Sequence, residues 1–263
     1  MVTFLPILAI LSGLLLFGTI PAQSAGQSCL KCHATHYAER GLCTDCHRGN
    51  PGSDRKNIAH HQLIAGRFSY FTLGNVAVVK EGNRLADQLA CRRCHQVGGK
   101  GNRLAASLDT IMAVKQPDET VDSIRRPVQG MPDFGLDDQQ AAALVNAIYY
   151  GSRKDSAKGG ERPLVRHFDK NSRSGEDLFG RNCGACHRML TARKGLVGSG
   201  DIGPNLSGLL SQYYPSTYRA KEKWNFAALQ KWVKNPRFVL PNSTMRPIKL
   251  DEKQWRELKR TLE

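Results

Sequence analysis

All eight cysteines of this 263-residue chain fall in four copies of one pentapeptide. The copies are Cys29-Leu-Lys-Cys32-His33, Cys43-Thr-Asp-Cys46-His47, Cys91-Arg-Arg-Cys94-His95 and Cys183-Gly-Ala-Cys186-His187. Two thiols and an imidazole at this spacing can clamp zinc, exchange a disulfide, or attach haem covalently. A four-cysteine zinc site is open only to the first two motifs, where Cys32 and Cys43 lie close in sequence. A redox dithiol belongs to a thioredoxin-like fold, and no run of alternating strands is predicted here. Four pairs out of four followed directly by His read instead as four c-type haem sites. Cys29, Cys32, Cys43, Cys46, Cys91, Cys94, Cys183 and Cys186 are then the attachment atoms, and His33, His47, His95 and His187 the proximal iron ligands. No cysteine is left for a disulfide.

The elements that must position these motifs divide the chain unevenly. Residues 1–24 read as an export signal, with Val2 to Ile20 almost wholly apolar and Ala22-Gln-Ser24 as a small-residue cleavage site. The lack of Lys or Arg before the apolar run leaves a retained anchor as the alternative. Residues 25–73 hold two motifs in a His-rich piece too short to bury much core unaided, so haem is expected to supply its apolar mass. In residues 74–151, Leu85 and Leu89 predict a short helix delivering Cys91. Asp137 and Gln140 open a closing helix with Ala141, Leu144, Val145 and Ile148 on one face and Gly151 at its end. Residues 152–173 read as a polar linker. In residues 174–263, Ser174-x-x-Asp177 is the expected helix start before Cys183, and Asp251 caps a last helix presenting Trp255, Leu258 and Leu262. The fold class is mainly α.

Charge narrows the partners. Thirty-eight Lys and Arg against 23 Asp and Glu give a formal +15. An exported basic protein can steer towards acidic redox partners or anionic surfaces, or simply offset haem propionates. Nothing in the chain matches a nucleic-acid-binding motif.

Whether a haem carries electrons or performs chemistry turns on its sixth iron position. The spare histidines are His36, His60, His61 and His167. His36 stands three residues from His33, too close to cross to the far face of the same haem, and is expected to serve the second one. His60 or His61 then serves the first; both cannot face one iron, and His60 is the expected ligand. His167 reads as a solvated linker residue, Met112 as core packing, and Met189 as too close to His187 to reach its opposite face.

Residues 174–263 resemble class I cytochrome c through Gly203-Pro204-Asn205-Leu206 and through Met245, set between the haem motif and the closing helix. Residues 74–151 resemble the same family through Gly130-Met131-Pro132-Asp133-Phe134, although Gly98 to Leu104 stands where Gly-Pro-Asn-Leu is expected. The resemblance implies Met131 and Met245 as distal ligands, and Gly203–Leu206 beside the proximal His. Residues 43–64 are similar to short bis-His dihaem modules of metal- and metalloid-respiring bacteria. The expected architecture is a short dihaem module followed by two class I cytochrome c-like helical domains.

Every iron then has a sixth ligand, and the expectation is an exported, periplasmic tetrahaem electron carrier rather than an enzyme. Its donor and acceptor would be respiratory redox proteins, membrane-bound or in an outer-membrane complex, with selenite or tellurite reduction suggested by the metalloid resemblance alone. The alternatives are a reductase with one open haem, and a redox sensor or assembly subunit. Thioether sulfur favours Fe(II), so His/Met sites should lie at higher potential than bis-His sites.

Overall fold

The structure, a computed structural model, describes residues 28–128, 130–155 and 177–262. The expected signal, most of the expected linker, His167 and Ser174 lie outside the described residues. Within them the protein is mainly α, and no helix is long and apolar enough to cross a membrane.

Residues 28–63 are built from single turns: 3-10 turns at Cys29–Lys31 and Ala38–Arg40, helix α1 (Cys43–His47) and helix α2 (Lys56–Ala59). No residue between 28 and 63 is buried. A segment of this composition leaves its turns held by local hydrogen bonds, such as that from the Asn50 amide to the Ala59 carbonyl at 2.9 Å.

The middle module pairs helix α3 (Ala77–Gln88) with helix α5 (Asp138–Asp155), and helix α4 (Pro117–Arg125) packs on α5. Gly82 makes the α3–α5 approach possible, because a Cβ there would collide with the Ala143 carbonyl and the Ala147 methyl. The start of α5 follows the sequence. The Gln140 amide donates to Asp137 Oδ1 at 2.8 Å, and the Asp137 amide donates to Gln140 Oε1 at 3.1 Å, satisfying two otherwise orphaned donors.

Three expectations are corrected here. Gly151 does not end α5, which runs on to Asp155 with Gly151 packed against Gly98. The helix before Cys91 is twelve residues long and stops at Gln88. Ala90 then enters the left-handed region (φ 53°), and Cys91–Arg93 forms its own 3-10 turn. The packing also runs across the expected 73/74 boundary. Ile64, Phe68 and Phe71 are buried in the same core as Leu144, Val145, Ile148 and Tyr149. The 3-10 turns Gly66–Phe68 and Tyr70–Leu73 dock on α5 through Asn146, which is fully buried. Its Oδ1 accepts from the Phe71 amide at 2.9 Å, and its Nδ2 donates to the Arg67 and Ala142 carbonyls at 2.8 and 2.9 Å.

The C-terminal module contains helix α6 (Leu178–Asn182), strands β1 (Met189–Thr191) and β2 (Gly195–Val197), helices α7 (Phe226–Lys234) and α8 (Pro236–Val239), and helix α9 (Glu252–Leu262). The N-cap of α6 is Asp177, whose Oδ1 accepts from the Gly180 amide at 2.7 Å. At α9, Asp251 and Gln254 repeat the reciprocal cap of α5. Leu178, Phe179, Met189, Trp255 and Leu258 share one core. Antiparallel β1–β2 is too short to have given an alternating pattern in the sequence; it buries Met189, a structural residue.

Candidate haem sites

Each pentapeptide folds into one tight turn. The His33, His95 and His187 amides donate to the carbonyls of Cys29, Cys91 and Cys183 at 3.0, 3.0 and 2.9 Å. The second motif is helix α1 itself. Residues at positions 1, 4 and 5 of such a turn project from the same side, so two thiols and an imidazole share one face. All eight thiols are free. Burial pushes the Cys91 and Cys183 thiols up to about 11, the mark of sulfurs in apolar surroundings.

A ring nitrogen on three of the motif histidines is fixed by a backbone carbonyl. His47 Nδ1 meets the Ile64 carbonyl at 3.0 Å, His95 Nδ1 the Ala106 carbonyl at 2.8 Å, and His187 Nδ1 the Pro204 carbonyl at 2.9 Å. An Nδ1–H donated to a carbonyl leaves the Nε2 lone pair for a metal and sets the ring orientation. Burial lowers the pKa of His95 from the ordinary imidazole value, opposed by the Ala106 carbonyl. Gly203 lies flat against the His187 ring, where a Cβ would strike its atoms; this is the Gly203–Leu206 segment. Gly98 to Leu104 is not its counterpart in acceptor position: the carbonyl at His95 comes from Ala106, two residues further on.

The distal candidates fall into two groups. His36 and His47 are brought together, with Nε2 atoms 3.3 Å apart and ring centroids 5.6 Å apart. His33 and His60 are brought together at 5.9 Å between centroids, while His61 is exposed. A cavity of about 250 Å³ beside the second motif is lined by Cys43, Cys46, His36, His47 and Arg40. Met131 is half-buried against the middle core, and so is Met112. Met245 is half-buried against the C-terminal core, and Trp232 Nε1 donates to its sulfur at 2.9 Å. Among the described residues no group of three or more His, Cys, Asp or Glu is arranged to hold a metal ion directly. Haem iron asks less of a protein, one or two axial ligands, and the carbonyl-fixed imidazoles beside paired thiols fit that group.

Sequence reasoning did not reach Ile64, Ala106, Trp232 or Arg93. Two act through backbone carbonyls, which carry no residue-type signal. Arg93 and Trp232 act through contacts distant in sequence. Arg93 Nη1 donates to the Asn205 carbonyl at 3.2 Å, joining the middle module to the C-terminal one.

Residues 77–148 match the family model for cytochrome C oxidase, cbb3-type, subunit III. Neither a curated protein nor a solved structure gives a significant match. The matched segment spans α3, the third pentapeptide and most of α5. A cytochrome c domain with its haem turn intact makes this an electron-carrying c-type haem protein with covalently bound haem c.

Proposed function

We propose that the chain is an exported tetrahaem electron carrier. Its attachment sites would be Cys29/Cys32, Cys43/Cys46, Cys91/Cys94 and Cys183/Cys186. Its axial pairs would be His33/His60, His47/His36, His95/Met131 and His187/Met245. The observation that carries this reading is the partnering of imidazoles in residues 28–63. Two motif histidines there each meet a second histidine, in the crossed pairing that places His36 with His47 and His60 with His33. A segment with nothing buried gains little by stacking imidazoles for their own sake; two-sided ligation of two irons explains both pairs at once.

Bound haem supplies a one-electron Fe(III)/Fe(II) couple. The chain does the rest. Thiols of each turn fix the group, and carbonyls of Ile64, Ala106 and Pro204 hold His47, His95 and His187 in one tautomer and orientation. With His36, His60, Met131 and Met245 as second ligands, the chain would leave no iron position open to a substrate, which separates a carrier from a reductase. Imidazole pairs would give a low-potential end and His/Met pairs a high-potential end, so electrons would enter near residue 28 and leave near residue 262. The net basic charge would favour acidic redox partners, with metal or metalloid respiration the context that the N-terminal resemblance suggests.

Mass spectrometry of the secreted protein tests the count: four covalent haems are expected, and fewer sink the tetrahaem reading. Carbon monoxide added to the reduced native protein tests carrier against enzyme. An unchanged spectrum is expected; a stoichiometric shift at one haem would favour the reductase.

A further inference from the structure

The middle and C-terminal modules meet on the residues that frame their haem turns, and Asn205 stands at the centre of that junction. Its backbone carbonyl accepts from Arg93 Nη1 at 3.2 Å and from the Tyr214 hydroxyl at 3.1 Å. Its Nδ2 donates to the Gly130 carbonyl at 3.0 Å, and its Oδ1 accepts from the Ser207 amide and hydroxyl at 3.0 and 2.6 Å. Its carbonyl and both ends of its side chain are thus engaged. The position is over-determined, as positions are when surrounding structure fixes a group rather than tolerates it.

Three more contacts tighten the same face. Asn102 Nδ2 bridges the Arg93 carbonyl and Ser211 Oγ at 2.9 and 2.8 Å. The Arg93 guanidinium lies 5.8 Å from the Tyr214 ring centroid, a cation–π distance. Gly130, at φ +80°, presses on Leu196, and a Cβ there would meet the leucine methyl at 2.5 Å.

The neighbours of these residues give the junction its meaning. Arg93 lies between Cys91 and Cys94. Gly130 precedes Met131. Pro204, bonded to Asn205, accepts from His187 Nδ1. Two short bonded routes therefore leave the fourth site through Pro204 and Asn205. One crosses the Arg93 hydrogen bond to the third attachment turn, and the other crosses the Gly130 hydrogen bond to the Met131 loop.

We infer that Arg93 and Asn205 are positioning residues for electron transfer between the third and fourth haem sites, locking the two modules into one unit and supplying the bonded path across it. The inference rests on the tetrahaem reading above. In the step, one electron passes from a ferrous centre in one module to a ferric centre in the other. The donor becomes ferric, the acceptor ferrous, and no proton or atom moves.

The test uses the full-length holoprotein and its Arg93→Ala, Arg93→Lys and Asn205→Ala variants. Photoreduction followed by absorbance measures the rate between modules, potentiometry the individual potentials, and hydrogen exchange the order of residues 205–214. Arg93→Ala and Asn205→Ala should keep four haems and near-native potentials. Their transfer rate should fall on the order of tenfold or more, the penalty of losing fixed geometry between reacting centres, and amide exchange at 205–214 should rise. Arg93→Lys should recover part of the rate. Because Arg93 sits inside an attachment motif, Asn205→Ala is the deciding variant if Arg93→Ala loses haem. Four haems with an unchanged rate overturn the inference, even if exchange rises, since the junction is then only a structural seam. A wild-type protein lacking haem at the third or fourth motif overturns the tetrahaem reading itself, and haem content by mass tells the two failures apart.

Discussion

Residues 28–63 carry two of the four pentapeptides and bury no side chain. Residues 64–155 carry one pentapeptide and bury Phe68, Phe71, Leu144 and Tyr149 around crossed helices. The same attachment turn is thus presented on two kinds of scaffold. In the middle module the turn is hung on a protein core that exists before any cofactor is considered. In the N-terminal segment no such core exists, and the proposed porphyrins would be the core. The difference teaches that stability and redox setting are coupled here. Where haem would supply the apolar mass, both ligands come from within the short segment itself, with His36 set beside His47 and His60 beside His33. Where helices supply it, a distal ligand can be delivered from far along the chain, and a Met loop becomes usable.

The strongest way to break that contrast is to remove one cofactor from each scaffold. Cys43→Ala/Cys46→Ala should lose one haem by mass and all measurable amide protection across residues 28–63, while protection of α3 and α5 persists. Cys91→Ala/Cys94→Ala should also lose one haem, yet keep most helical circular dichroism, because the Gly82 crossing and the Asn146 bonds do not involve the cofactor. Retained order in 28–63 without its second haem would show that the segment folds on its own.

Ligand exchange sharpens the electronic half of the comparison. Met245→His should lower one of four potentials by roughly 0.1–0.3 V, within the ~0.8 V that axial ligands span, and leave the other three nearly in place. Spectroelectrochemical titration reads this directly. Four overlapping low potentials in the wild type would erase the distinction between the two ends.

Asn146→Ala probes how firmly the N-terminal segment is moored to the middle core. It removes the Asn146 hydrogen bonds to the buried Phe71 amide and to the part-buried Arg67 carbonyl, at a cost of about 1–3 kcal/mol in denaturant unfolding of the middle module. The change should also loosen residues 64–73, and with them the Ile64 carbonyl that orients His47. A stability loss with no change at the second site would show that the mooring and the ligand geometry are independent.

What the sequence revealed follows the range of the interactions. Asp137 with Gln140, and Asp251 as the cap of the last helix, were legible because a cap is closed within four residues. The pentapeptides were legible for the same reason. Gly151 misled because its helix is continued by packing against Gly98, a contact that local propensity does not contain. The 73/74 boundary misled because Phe68 and Phe71 sit in 3-10 turns with no helical period, and only α5 explains why they are buried. Gly203 to Leu206 stands out as a motif, but no local signal marks Asn205 as a link between two modules, since Arg93 lies 112 residues away.

Trp232 offers the finest adjustment of the comparison, because the N-terminal segment holds no tryptophan that could play its part. Its indole N–H donates to the Met245 sulfur at 2.9 Å. Both lie against the C-terminal core, with Trp224 edge-on to Trp232 at 5.7 Å. A hydrogen bond draws electron density from the thioether and makes it a poorer donor to Fe(III), which raises the potential of a His187/Met245 site. Trp232→Phe keeps an aromatic ring in place and deletes the donor alone. A hydrogen bond whose strength differs by about 0.5–1 kcal/mol between oxidation states converts to roughly 20–45 mV for one electron. The fourth potential should therefore fall by that amount while the two N-terminal potentials stay fixed. A rise, or an equal shift at all sites, would mean that the indole acts through packing and not through the sulfur. Combining Trp232→Phe with Met245→His separates these outright: once the sulfur is gone, deleting the indole N–H should move nothing further.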